Sequence, residues 1–264
     1  MKDILKTIGF IGCGNMGGAL IKKIAKNGAV YVYDSDEAKA NACVKIYGTT
    51  RAISALELAQ KCNAVVAAVK PQQLAELLSS IRDALADKVL ISIAAGVTLT
   101  RLAELAPKAR IIRVMPNTPV QVGEGAIAWT AAANVRAEER AAFVKLFSPC
   151  GLLFPLEEKL MDAFTALAGS GPAYVFTLIN ALAEGGVHEG LNKNDALRMT
   201  AQTFLGSARM LLELGEHPEV LKDRVTSPGG TTMAGLAALE TGAVRSACIQ
   251  AVAAARARAE ELGK

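Results

Sequence analysis

The chain has 264 residues, of which 52% are hydrophobic and only 5% aromatic, a length and composition that suit two globular domains built on Ala, Leu, Val and Ile and exclude a disordered chain. Its 29 basic and 25 acidic residues leave a net charge of +4, and no basic run is interleaved with aromatics, so nucleic acid is not an expected partner. Taken in chain order, the run TIGFIG from Thr7 reads as a strand that ends in the turn Gly12-Cys13-Gly14-Asn15-Met16-Gly17. The segment NMGGALIKKIAKNG that follows has helical periodicity, and AVYVYD after it reads as a second strand ending at Asp34, which together complete a βαβ unit. Helices are expected from about Asp36 to Ile46 and from Ala55 to Lys61, then a buried strand to Val69 and a helix after Pro71.

The runs VLISIAAG and ARIIRVMP are near-continuous apolar strands, as expected where both faces of a parallel sheet are covered. GAIAWTA and GLLFPL bracket a helix from Arg136 to Phe147 and read as the far edge of the same sheet. Beyond about Pro155 the strand pattern stops. Ala- and Leu-rich helical segments run from Glu158 to Glu184, Asn194 to Leu214 and Thr231 to Leu262, broken near Gly215 and Gly242. The expected architecture is an α/β Rossmann domain with a mostly parallel sheet over residues 1–156, followed by an all-α domain over 157–264. The helices carry apolar residues too widely spread to be solvated on all sides, so they pack either on their own sheet domain or across a symmetric dimer.

The first strand begins within a few residues of Met1, leaving no room for a signal peptide, and no apolar stretch is read as long enough to span a membrane; a cytoplasmic protein with no membrane partner is expected. Cys13, Cys43, Cys62, Cys150 and Cys248 stand far apart, and His188 and His217 are the only histidines. That spacing offers neither a zinc site nor a disulfide framework, so no metal is expected.

A GxGxxG turn is weak evidence by itself, but here it follows a buried strand, opens a helix and precedes a second strand with an acidic end, which is the context for dinucleotide binding. Gly12 permits the tight turn, Gly14 lets backbone approach a pyrophosphate, and Cys13, Asn15 and Met16 lie where a helix start presents N–H groups to that charge. Asp34 suits the two ribose hydroxyls of NADH and would repel a 2′-phosphate. Ser35 and Lys39 offer a hydroxyl and a cation to such a phosphate if Asp34 turns away, and Asp34 has the plainer alternative of a turn or helix cap. Val69, Lys70 and Pro71 after one strand, and Ala94, Ala95 and Gly96 after the next, are expected walls for the nicotinamide half, with ordinary turn chemistry as the alternative.

The segments MPNTPVQVGEG from Met115, DAFTALAGSGPAYVF from Asp162 and VTSPGGTTMAGLAALETG from Val225, with GFIGCGNMGGAL and AAVKPQ, resemble the pyrroline-5-carboxylate reductase family. The resemblance covers nearly the whole chain. It implies reduction of the cyclic imine L-1-pyrroline-5-carboxylate to L-proline by hydride from NADPH, with NADH also accepted. It also implies a homodimer through the helical domain, with a higher oligomer left open.

The residues suit that chemistry. The loop Ser227-Pro228-Gly229-Gly230-Thr231-Thr232 opens an apolar helix and makes an anion pocket fit for a small carboxylate, whereas a plain capped helix gives no reason for two glycines and two threonines. An imine is basic enough to arrive protonated, so a neutral hydroxyl suffices, and the resemblance assigns it to Thr232. The resemblance also puts Ser170 and Gly171 of GSGPAY at the substrate, in a stretch whose two glycines and proline require a kink or a close approach within a long helix. Asn117 either orients the nicotinamide carboxamide or caps a turn. Two rivals are weighed. A β-hydroxyacid dehydrogenase places a catalytic lysine on the corresponding helix, and GSGPAYVFTLIN contains none. A protein that senses NAD(P) without turnover would not need the SPGGTT pocket.

Overall fold

The computed structural model describes residues 5–263. Eight strands, β1 (Thr7–Ile11), β2 (Ala29–Tyr33), β3 (Thr50–Arg51), β4 (Ala64–Ala67), β5 (Val89–Ser92), β6 (Arg110–Met115), β7 (Gly125–Ala131) and β8 (Gly151–Pro155), form one sheet in the order β3-β2-β1-β4-β5-β6-β7-β8. Pairing is parallel from β3 through β6, β7 runs antiparallel to β6, and β8 is parallel to β7. The reversal has a local cause: only residues 116–124, around a short 3-10 turn, Thr118–Val122, link β6 to β7, whereas a parallel return needs a crossover of a dozen residues or more.

Helices α1 (Asn15–Ile24), α2 (Glu37–Tyr47), α3 (Ala55–Lys61), α4 (Pro71–Ile81), α5 (Leu99–Leu105) and α6 (Ala137–Phe147) cover the two faces. One face packs Leu20, Ile21 and Ile24 of α1 and Phe143 and Phe147 of α6 against Phe10, Val32, Ile112 and Val114. The other packs Leu58, Leu74, Leu78, Ile81 and Leu102 against Ile11, Val65, Leu90 and Ile111. Adjacent residues such as Ile111 and Ile112 therefore serve opposite cores, the period-two geometry of a doubly covered strand. Each such fully buried side chain contributes about 1.5–3 kcal/mol.

The later helices are α7 (Met161–Phe164), α8 (Gly171–His188), α9 (Lys193–Leu214), α10 (Pro218–Arg224), α11 (Thr231–Thr241) and α12 (Val244–Leu262). The chain divides into two compact units, one reaching to Ser170 and taking in the chain from Ala255, the other Gly171–Ala254. In the helical unit Ala183 and Ala196 are the buried apolar residues among those described, while Phe176, Leu182, Leu205, Leu212 and Ile249 are exposed. One reading from sequence needs correction. The helical stretch Glu158–His188 is long and apolar enough, by length and composition, to cross a membrane. Its Ala, Gly, Ser and Thr residues hide that apolarity from a search for unbroken runs, and the same composition serves a helix covered by other helices.

Candidate functional site

The glycine turn lies where β1 and β4 are neighbours while β2 leaves on the other side of β1, the switch point at which open α/β sheets form a crevice at their carboxyl ends. Gly12 has φ +103°, and a Cβ there would stand 2.4 Å from the Ala68 carbonyl oxygen. The turn is fastened by Gly12 N–H donating to the Tyr33 carbonyl and Ala68 N–H donating to the Ile11 carbonyl, each at 2.8 Å. At Gly17 a Cβ would meet the Gly12 oxygen at 2.1 Å, so helix and turn can approach this closely only without one. Gly14 is different: among the described residues, no atom beyond its own chain neighbours and helix backbone lies within 4 Å of where its Cβ would be. Nothing in the protein itself demands glycine there, but a dinucleotide pyrophosphate drawn up to the backbone would. Gly14 is the N-cap of α1 and no side chain caps this helix end, so its first-turn N–H groups and dipole point at whatever anion enters.

A cleft of about 550 Å³ opens beside the turn, lined among others by Gly12, Gly14, Tyr33, Asp34, Ser35, Lys39, Val69 and Lys70. Asp34 lines it with a carboxylate turned back to the protein: Oδ2 accepts from Cys13 N–H at 2.6 Å and Oδ1 from Asp36 N–H at 2.8 Å. Two sequence readings of Asp34 thus meet in one residue, since it braces the turn and still borders the cleft. Lys39 Nζ is 3.2 Å from Asp36 Oδ2. That hydrogen bond holds the Asp36 carboxyl below the ordinary carboxylate range and the Lys39 ammonium above its own, so both are charged at neutral pH.

The other expected cofactor residues are distributed unevenly. Cys13 directs its thiol into the core, where burial first, then Cys43 and the Asp34 charge, push its pKa up, and its N–H is engaged by Asp34. Asn15 and Met16 form the first turn of α1. Lys70 is the N-cap of α4 with Pro71 at the first helical position, where a missing N–H costs nothing. Ala94 is buried after β5, and beside it Gly96, at φ +76°, has the Leu262 carbonyl and Gly263 within 3.6 Å of its Cβ position. None of Ala94, Ala95 and Gly96 lines the cleft. Asn117 is buried, its Oδ1 accepting from Ala126 N–H at 2.9 Å and its Nδ2 donating to the Ala168 carbonyl at 3.0 Å. Its amide therefore joins the β6–β7 link to residues 165–169 and is largely used within the protein. Sequence reasoning did not name Tyr33, Gln73, Glu76 or Ser80, which also line the cleft. The start of α4 beside the switch point was the available signal for Gln73.

The kink expected around GSGPAY is a π-helical turn, Thr165–Gly169, in which Ser170 N–H donates to the Thr165 carbonyl at 2.8 Å; such widened turns are frequent at functional sites. Ser170 follows it directly, and Gly171 begins α8.

In the helical unit, Ser227-Pro228-Gly229-Gly230 is a tight turn closed by Gly230 N–H donating to the Ser227 carbonyl at 3.0 Å, with Gly229 at φ +68°. Proline second and a positive-φ glycine third are what a type II turn requires. A Cβ on Gly230 would collide with Ser227 Oγ at 2.3 Å, so the second glycine lets the serine hydroxyl lie against the start of α11. Gly230 caps that helix without any side-chain bond, leaving the Thr231 and Thr232 end open to an anion. Among the described residues neither threonine hydroxyl has a hydrogen-bond partner in the chain.

Residues 158–262 match the family model described as pyrroline-5-carboxylate reductase dimerisation, and residues 7–96 match that described as NADP oxidoreductase coenzyme F420-dependent. The chain is 41% identical to the pyrroline-5-carboxylate reductase of Escherichia coli over 266 residues, covering 98% of this chain and 99% of that one. It is similar in structure to a pyrroline-5-carboxylate reductase from Coxiella burnetii, with a TM-score of 0.93 at 34% identity and 99% of each chain covered. The Plasmodium falciparum pyrroline carboxylate reductase, solved with NADP bound, superposes with a TM-score of 0.88 at 34% identity and 98% coverage of both chains.

Proposed function

The chain belongs to the pyrroline-5-carboxylate reductase family, and on that premise we propose that it reduces the C=N bond of L-1-pyrroline-5-carboxylate to give L-proline. The observation that carries this reading is the presence, in one chain, of a glycine turn shaped for a pyrophosphate and a second uncapped glycine turn shaped for a small carboxylate. The cofactor is NADPH, the reduced form of the NADP bound in the Plasmodium relative, with NADH accepted as well. A reduced nicotinamide supplies the hydride.

The protein's part is positioning. Amides at the start of α1, from Gly14, Asn15 and Met16, hold the pyrophosphate, while Ser35 and Lys39 border the adenosine ribose. The first-turn amides of α11, with Ser227, Gly229, Gly230 and Thr231, hold the substrate carboxylate, and Ser170 and Gly171 border its ring. The ring nitrogen arrives protonated, or takes a solvent proton through the hydroxyl of Thr232 that hydrogen-bonds it, so that hydride addition to the C=N carbon leaves the ring amine and no strong acid is needed.

The enzyme works in the cytoplasm as a homodimer formed through its helical unit. An apolar groove of about 500 Å³ lined by Phe204, Met210, Leu211, Leu221 and Val225 supports this, as does the small number of buried residues there. A helical unit with so little buried surface is stable only when something covers it.

The deciding assay follows cofactor absorbance with pyrroline-5-carboxylate, with a 3-hydroxyacid and the oxidised cofactor, and with neither. Imine-dependent oxidation of NADPH is the expected result. Turnover of the 3-hydroxyacid would favour the dehydrogenase reading, and binding without turnover in every arm would favour a sensor.

A further inference from the structure

We propose that Asp36 sets the choice between the two nicotinamide cofactors, by holding Lys39, a cation that borders the cleft beyond the end of β2 and can meet a 2′-phosphate. The proposal rests on the reading of the cleft as a dinucleotide site. Four charged groups besides Lys39 cluster where β2 passes into α2 and meets β3, and each is already engaged. Asp34 accepts from two backbone amides at 2.6 and 2.8 Å. Glu37 pairs with Arg51 at 2.6 Å, and Arg51 also donates to Asn41 at 3.1 Å. Asp36 caps α2 by accepting from Ala38 N–H at 3.1 Å with Oδ1 and takes Lys39 with Oδ2 at 3.2 Å.

Lys39, Ser35 and Asp34 border the cleft together. A ribose carrying a free 2′-hydroxyl asks nothing of Lys39. A ribose carrying a phosphate dianion must draw Lys39 away from Asp36, or share it with a carboxylate one residue from the helix start, where like charges repel. The Asp36–Lys39 pair is half-exposed on both sides, so it is weak enough to be disrupted by a ligand yet costs NADPH part of its affinity. NADH bears no such cost, and the two cofactors are thereby brought closer in affinity than the remaining residues would leave them.

Asp36→Asn tests this with little risk to the fold, because asparagine caps a helix as well as aspartate does. In the full-length protein, NADPH and NADH binding are measured by equilibrium titration, and kcat/KM is measured for both with the imine. The variant is expected to bind NADPH about three- to fivefold more tightly, the worth of releasing one half-exposed ion pair, with NADH changed by less than about twofold. The gain should vanish in the double variant Asp36→Asn/Lys39→Met. An unchanged NADPH-to-NADH affinity ratio in Asp36→Asn, a gain that survives loss of Lys39, or failure of either cofactor to bind would overturn the proposal. The titration is independent of turnover: intact binding shifts without imine reduction would leave this inference standing and remove the proposed reaction.

Discussion

At Asp34 a residue type that ordinarily selects the ribose is fastened to the backbone of the turn it faces. Both oxygens accept main-chain N–H groups, from Cys13 and Asp36, so its first effect is on the shape of the pyrophosphate turn. Asp34→Ala is therefore expected to weaken NADH and NADPH alike, by roughly tenfold for the unpaired amides. Loss confined to NADH would mean that the carboxylate acts on the ribose. Thr232 is the matching case in the helical unit, a hydroxyl without a partner among the described residues at an open helix start. Thr232→Ala should lower kcat roughly 10²-fold or more while leaving the cofactor dissociation constant near its wild-type value, and unchanged turnover would remove Thr232 from the mechanism. Which side chain turns toward a cleft and which turns away is not written in the sequence. Asp34 and Asn117 each have two readings there; contacts of 2.6–3.0 Å show both side chains engaged with the backbone, while Asp34 still borders the cleft.

Among elements, legibility followed periodicity. The strands of four or more residues, and the long helices, were readable from apolar runs, because a strand buried on both faces has few polar residues to interrupt it. Three short elements were not: β3 is two residues, too few for a strand period, and α5 and α10 are seven each, although α3, of the same length, was readable. The π-helical turn at Thr165–Gly169 was legible only as a conflict, glycines and proline inside a helix, and its geometry came from the structure. The start of α6 shows how tertiary pairing fixes an element. Glu139 is buried, accepts from Arg110 Nε with both oxygens at 2.8 and 2.9 Å, and accepts from the Arg136 N–H at 3.0 Å. Glu139→Ala leaves the Arg110 guanidinium without its carboxylate and should destabilise the protein by about 3 kcal/mol. A lower denaturant midpoint with an unchanged slope would show it, and a midpoint within experimental error of wild type would refute it.

For the whole molecule, the sheet unit closes its own cores on both faces while the helical unit leaves Phe176, Leu205, Leu212 and Ile249 exposed. Length and composition implied two domains, and the spread of apolar residues around the later helices implied a surface that needs cover; which residues stand exposed came from the structure. A charged residue at Leu205 or Phe176 is expected to produce monomers by sedimentation velocity, with imine reduction lost and cofactor binding retained. Full turnover by a verified monomer would contradict the dimer's role. Passage of hydride from a nicotinamide to an imine carbon is tested most directly by supplying reduced cofactor with deuterium at both C4 positions together with L-1-pyrroline-5-carboxylate and examining the product by NMR. Proline carrying one deuterium on its δ carbon for each cofactor oxidised is expected; cofactor oxidation without labelled proline, or no imine-dependent oxidation at all, would rule the reaction out.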